Sequence, residues 1–220
     1  MGGVPSGERG EAIPYPLPKR LTDAVVAAVL VLLLVPLFLV IFAIVGLDML
    51  LCPRDRGTWL YRERRVSRGC EFDLLKFRTL RKDVLAEMRR RGGHARQEEA
   101  YPGNLTWAGR HLLKPWYLDE LPQLLNVLRR DMSLVGPRPW PPSMVREQVA
   151  EGLDYRNRVP AGWTGPAQSR KGVPGVRYAD LDLAYAEACR TWSPWRLARY
   201  DLGILWATVR AVLRGEGLRY

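Results

Sequence analysis

KPWYLDELPQLLNVLRRDMSLVGPRP, residues 114–139, sets an adjacent acidic pair, Asp119 and Glu120, among cations and turn residues. Two neighbouring carboxylates can divide labour, one attacking or accepting a proton while the other holds a divalent cation that prefers oxygen ligands. The plainer alternative is that acids after Pro115 only complement the positive end of a helix. The GPRP at 136–139 and the KFRTL at 76–80 favour chemistry. Leu118, Leu121, Leu125 and Leu128 recur at spacings of three and four, which predicts a helix opened by Pro115 with the acidic pair in or near its first turn. Pro122 implies a kink or a late start.

Working outward, residues 59–66 and 72–80 carry apolar and aromatic residues at strand-like density around Ser67-Arg68-Gly69, which predicts a short hairpin leading into KFRTL. Residues 81–103 are charged and read as a short helix followed by an exposed loop. After the GPRP, a polar helix over 144–158 leads to VPAGWTGPAQSRKG, a glycine-punctuated loop in which Gly162 and Gly165 predict close backbone approach or positive φ. The last stretch, 192–214, reads as one or two amphipathic helices with Trp195, Leu202, Leu205, Trp206, Val209 and Val212 broadly on one side. Packing against the core and contact with a membrane headgroup region both suit that stripe.

Residues 24–47 are apolar and uncharged, long enough as a helix to cross a bilayer at about 36 Å. A cleaved signal peptide would have a shorter apolar run. Pro36 argues against simple spanning, because it removes a helical hydrogen bond and clashes with the carbonyl of Leu32, leaving two arms of about 18 Å. Lys19 and Arg20 precede the run and Arg54, Arg56, Arg62, Arg64 and Arg65 follow it. Both flanks then favour the cytoplasm, so a re-entrant hairpin is expected, with Asp23 and Asp48 diluting the signal.

The 220 residues, 47% hydrophobic, have room for one globular domain and an appendage. A formal charge of +11 points to an anionic partner without choosing among phosphates, acidic lipid and nucleic acid. Three cysteines without CxxC spacing indicate neither a disulfide framework nor a zinc knuckle, and fit a reducing compartment.

KFRTL, LDELPQLLNVL at 118–128, DMSLVGPRP at 131–139 and GWTGPAQ at 162–168 occur in the order found in bacterial sugar transferases. Over residues 19–215 the chain resembles that family of polyprenyl-phosphate phosphoglycosyl transferases, in its small, single-anchor, monotopic form. The resemblance implies transfer of a phosphosugar from a nucleotide diphosphate sugar, a UDP-sugar foremost, to polyprenyl phosphate such as undecaprenyl phosphate, releasing nucleoside monophosphate. It implies Asp119 as nucleophile, through a covalent aspartyl-phosphosugar, and Glu120 as ligand of the Mg²⁺ cofactor. Lys76, Arg78 and Arg138 are candidates for gripping phosphates, and Lys114, Arg158 and Gln168 complete the substrate-binding set. Asp131 reads equally as a turn or capping residue. Lys114 replaces an Arg usual in the family, which keeps the charge but loses the bidentate fork. Pro160 stands where the family has another Arg, with Arg158 displaced from that place. Val35 stands before Pro36 where relatives have Ser, and Ser67 replaces a common Gly.

The expected fold is α/β, mainly helical with a small hairpin or sheet, arranged as a flexible tail (1–18), a re-entrant membrane anchor (19–52) and a cytoplasmic catalytic domain (53–220) with interfacial amphipathic helices. The expected location is the cytoplasmic face of the bacterial inner membrane, in contact with membrane lipids. The oligomeric state stays open, a homodimer included. A membrane-anchored module binding nucleic acid or anionic lipid would explain the charge and the anchor. It would not explain LDELPQ followed by GPRP, and no nucleic-acid motif is present, so nucleic acid is not an expected partner. A glycosyltransferase moving a bare sugar would release the nucleoside diphosphate instead.

Overall fold

Pro36 divides the apolar run as its chemistry requires. Helix α1 (Leu17–Leu33) ends at Leu34, and α2 (Val35–Leu51) takes Pro36 into its first turn, where the missing N–H costs nothing. The pair is bent by 57° across the break, and among the described residues no single helix is long and apolar enough to cross a membrane. The computed structural model describes residues 12–170 and 175–213. These fall into two compact units, one built from the chain up to Val29, Glu63–Leu74 and Leu124 onward, the other from Leu30–Arg62 and Leu75–Gln123.

The remaining elements run β1 (Leu60–Ser67), β2 (Cys70–Phe77), α3 (Lys82–Arg91), α4 (Ala95–Glu99), α5 (Gln123–Leu128), β3 (Ser133–Val135), α6 (Pro142–Ala150), α7 (Tyr155–Arg158), β4 (Gly162–Thr164), α8 (Pro166–Ser169), α9 (Tyr178–Thr191) and α10 (Pro194–Leu213). The fold is thus α/β and mainly helical, with two small two-stranded sheets. In the first, β1 and β2 are joined by Arg68 and Gly69, both at positive φ (51° and 72°), the pattern of a two-residue hairpin turn whose twist matches the strands. In the second, β3 and β4 run parallel in the register Ser133 to Gly162 and Val135 to Thr164. A parallel pair needs a crossover, and α6 and α7 supply it.

Three expectations are corrected here. Pro115 does not open a helix: a π-helical turn, Gly109–Leu113, precedes it, Leu118–Glu120 form a single 3₁₀ turn, and α5 starts only at Gln123, the late start that Pro122 forces. The polar helix over 144–158 is two helices, because Gly152 turns the chain at φ +86°. The glycine-punctuated loop contains β4 and α8, and its Lys171 and Gly172 lie outside the described residues. Close approach, not positive φ, explains its glycines. A Cβ on Gly162 would strike the Gly136 nitrogen, and one on Gly165 the Gly136 carbonyl. Asp131 proves to be a cap: with Arg130 at φ +67°, the Asp131 N–H donates to the Asn126 carbonyl at 3.0 Å and closes α5, while its carboxylate accepts from Asn126 Nδ2 at 2.8 Å.

Of the expected tail, residues 1–11 lie outside the description, while Ile13 is buried with Tyr155, Val159 and Ala186 and bonds through its N–H to the Arg158 carbonyl at 2.9 Å. The base of α1 is clamped within the same unit. Lys19 Nζ lies 2.9 Å from Asp23 and 2.7 Å from Asp201 on α10, and Asp23 also accepts from Tyr15 and Ser133 at 2.5 and 2.6 Å. Lys19 and Asp23 are buried, so the Lys19 charge is neutralised inside the fold instead of facing lipid headgroups. In the second unit Leu80, Leu85, Met88 and Ala95 form a core under Tyr61 and Leu105. The stretch expected as an exposed loop after a short helix therefore contributes a packed second helix.

Candidate active site

KFRTL leaves the hairpin at the end of β2 and delivers Lys76, Arg78 and Thr79 into the second unit's interior. The chain returns to it through the π-helical turn. There the Lys114 N–H bonds to the Gly109 carbonyl at 3.0 Å, five residues back. Such turns carry one residue more than an α-helical turn and recur at functional sites. Gly109 makes this one possible: a Cβ there would sit 2.5 Å from the Thr79 carbonyl oxygen and 2.9 Å from Thr106 Oγ1. Tyr117 then adopts the left-handed region (φ 54°), an uncommon conformation for a bulky residue, and points the chain into the 3₁₀ turn that holds Asp119 and Glu120.

Charges alternate across the resulting cluster. Lys114 Nζ donates to Glu99 at 2.8 Å and to Asp119 Oδ2 at 3.3 Å, Thr79 Oγ1 donates to the other Glu99 oxygen at 2.8 Å, and Lys76 Nζ stands 4.0 Å from Glu120. Asp119 is fully buried and its Oδ1 meets no hydrogen-bond donor. Burial pushes its carboxyl up to about 6; Lys114 and Lys76 oppose the rise, while Glu120 and Glu99 reinforce it. Burial also works against the charge on Glu99, yet Lys114 and Lys76 outweigh it and hold that carboxyl below its ordinary range. Lys114 thus sits closer to Glu99 than to Asp119.

Of the eight residues singled out from sequence, Lys76, Lys114, Asp119 and Glu120 come together here. Arg78 lies in the same unit, but each of its three guanidinium nitrogens donates to a backbone carbonyl, those of Thr58 at 2.7 Å, Leu80 at 2.8 Å and Asp55. That geometry is a bracket between loops. Arg138, Arg158 and Gln168 belong to the other unit. Arg138 is exposed in the GPRP loop, and Arg158 is half-buried 3.8 Å from Asp154. Gln168 sits on α8 with both amide atoms buried and unpartnered. The GPRP loop is held by Arg156, which donates to the Arg138 carbonyl, stacks 4.0 Å over Trp140 and pairs with Asp182 at 3.2 Å. Sequence reasoning missed Glu99, Gly109 and Arg156. Glu99 carried no signal within a charged stretch, whereas Gly109, three residues after Thr106, is the sort of isolated glycine that marks a close approach.

The chain belongs to the bacterial sugar transferase family, which it matches over residues 15–215. It is 36% identical to the UDP-glucose:undecaprenyl-phosphate glucose-1-phosphate transferase of Caulobacter vibrioides over 207 residues, 90% of this chain and 70% of that protein. It is 35% identical to the UDP-galactose-lipid carrier transferase of Erwinia amylovora, over 90% of this chain but 41% of the relative, and 34% identical to the exopolysaccharide production protein ExoY of Rhizobium meliloti, over 90% of this chain and 87% of that protein. The chain therefore spans well under half of some of the relatives it matches and most of others.

Proposed function

We propose that the chain transfers a phosphosugar from a nucleotide diphosphate sugar, a UDP-sugar foremost, to polyprenyl phosphate of the undecaprenyl type. The observation that carries this reading is the 3₁₀ turn that sets Asp119 and Glu120 side by side within reach of Lys114 and Lys76. The names of the relatives, which include a glucose-1-phosphate transferase acting on undecaprenyl phosphate, support the same reaction.

In the first step an Asp119 carboxylate oxygen attacks the phosphorus that bears the sugar. The bond from that phosphorus to the bridging oxygen breaks, and nucleoside monophosphate leaves with the electron pair. In the second, an oxygen of polyprenyl phosphate attacks the same phosphorus, the bond to Asp119 breaks, and the carboxylate is restored. Asp119 is fully covered, so donor binding has to uncover it. Lys114 then orients and offsets the attacking carboxylate, and Glu99 with Thr79 holds Lys114 in place.

Among the described residues the carboxylates of Glu99, Asp119 and Glu120 gather around the ammonium groups of Lys76 and Lys114. An incoming diphosphate adds negative charge, so the donor set fits a hard divalent cation with Glu120 as its protein ligand. Bound there, Mg²⁺ would supply charge neutralisation on the diphosphate.

The reading includes a re-entrant anchor at the cytoplasmic face of the inner membrane. Each arm has 17 residues, about 25 Å, short of a hydrocarbon core of about 30 Å. Leu21, Val25 and Val29 on α1 and Leu39, Val40, Leu47 and Leu50 on α2 are exposed, apolar side chains of the kind that meet a membrane or a partner.

The test is the released nucleotide. With a panel of UDP-sugars, undecaprenyl phosphate and Mg²⁺, UMP is expected; UDP would mean transfer of a bare sugar, and no release would leave a binding module. EDTA should abolish turnover, and full activity in its presence would remove the metal from the account.

A further inference from the structure

We infer that Asp48, Cys52 and Asp55 form a second divalent-cation site, suited to a borderline-soft ion such as Zn²⁺, at the point where α2 ends. One ligand atom from each lies within 4.8 Å of those of the other two. Asp48 and Cys52 are four residues apart, so the last turn of α2 places both on one face. The chain then closes a tight turn over Pro53–Asp55, the Asp55 N–H bonding to the Cys52 carbonyl at 2.8 Å, and brings the second carboxylate back.

The outer oxygens of both acids are already occupied. Asp48 Oδ2 accepts from the Ala108 N–H at 3.0 Å and Asp55 Oδ2 from the Trp107 N–H at 2.8 Å, which fixes the two carboxylates and leaves one oxygen of each for an ion. Asp48 is only 6% exposed, and its Oδ1 is buried with no donor from outside the group, Cys52 and Asp55 being the side chains that Asp48 interacts with there. An orphaned buried carboxylate oxygen is costly, a reason to look for what satisfies it. Arg78, the cation that faces the two acids, directs its nitrogens to the carbonyls of Thr58, Leu80 and Asp55. Thiolate plus carboxylate selects against Mg²⁺ and Ca²⁺, which take oxygen only, and suits Zn²⁺ with sulfur at about 2.3 Å and oxygen at about 2.1 Å. The remaining coordination position falls to water. No part of the proposed transfer uses these residues; such an ion would pin the end of α2 to the start of the π-helical turn.

Co²⁺ is the probe, because its thiolate complexes absorb in the near ultraviolet. The full chain in detergent micelles should take up one Co²⁺ with a thiolate band that Zn²⁺ bleaches. Cys52→Ser should lose the band, and Asp48→Asn should weaken uptake or abolish it. Cys70→Ser, Cys189→Ser and Glu120→Gln should keep it, which separates this site from the other thiols and from the acidic pair of the active site. Zn²⁺ should also raise the melting temperature of the parent chain and not of Cys52→Ser. The absence of a thiolate band, its survival in Cys52→Ser, or unchanged affinity in Asp48→Asn would overturn the site and leave Asp48 and Asp55 as a pair of acids sharing a proton.

Discussion

Asp119 combines full burial with a carboxyl raised to about 6, so at neutral pH it is mostly ionised, at a cost to the stability of the fold. Its folded-state value lies above the ordinary one, so the contribution to stability is complete below about pH 4 and is lost as pH rises through about 6. At pH 7 that loss is roughly 3 kcal/mol at most. Asp119→Asn is therefore expected to melt no lower than the parent at pH 7 while losing turnover by roughly a thousandfold or more, as removal of a nucleophile does. A thermal melt and a UMP-release assay check both. The acid limb of kcat/KM should rise through about pH 6 as Asp119 ionises. Lys114 lowers the Asp119 value and Glu99 raises it, so Lys114→Met should move that limb to higher pH and Glu99→Gln to lower pH. A limb that ignores both substitutions would take Asp119 out of the rate-determining protonation.

The π-helical turn is the element on which the site's geometry depends. Gly109→Ala pushes a methyl group against the Thr79 carbonyl, and overpacking of this kind costs about 1–3 kcal/mol. Because Thr79 and Lys114 both hold Glu99, activity should fall further than stability, and a melt alongside the release assay separates the two. This turn was not legible in the sequence. The leucine spacing from Leu118 to Leu128 predicted one helix opened by Pro115, but Pro122 has no N–H to give, so Leu118–Glu120 form only a 3₁₀ turn ahead of α5, and nothing in that spacing marked the π turn upstream at Gly109–Leu113. The hairpin was legible, since Arg68 and Gly69 sit between two alternating runs, and so was the break before Pro36. Asp119, Glu120, Lys76 and Lys114 were legible as types around a motif; Glu99 was not, because its role comes from where the packing of α4 puts it. Gly162 and Gly165 were legible as glycines that matter, although for close approach alone.

Across the whole molecule, the cationic excess of +11 and the exposed apolar faces act together. Trp195, Leu202, Trp206 and Val209 of α10 are all exposed, while Leu197, Asp201 and Ile204 pack inward, so the aromatic stripe expected on this helix faces outward and suits a headgroup region. Val212 has no described side chain. With Lys19 neutralised inside the fold, Arg20 carries the cytoplasmic bias among the described residues of the N-terminal flank. In the re-entrant reading, single cysteines at Ala12 and Thr58, in a background without native thiols, should both be shielded from an impermeant thiol reagent in intact cells. Labelling of Ala12→Cys from outside would show that the segment spans. Pro36→Ala should move part of the population toward that outcome by restoring the helix across Leu34.

The central claim, a two-step transfer through Asp119, is tested most directly by intact-protein mass spectrometry of the chain with sugar donor and Mg²⁺ but no polyprenyl phosphate. The parent should gain the mass of one phosphosugar, mapped to the peptide containing Asp119, while releasing UMP; Asp119→Asn should gain nothing, and adding polyprenyl phosphate should discharge the adduct. UMP release that requires the lipid acceptor and leaves no adduct, or an adduct that persists in Asp119→Asn, would contradict it.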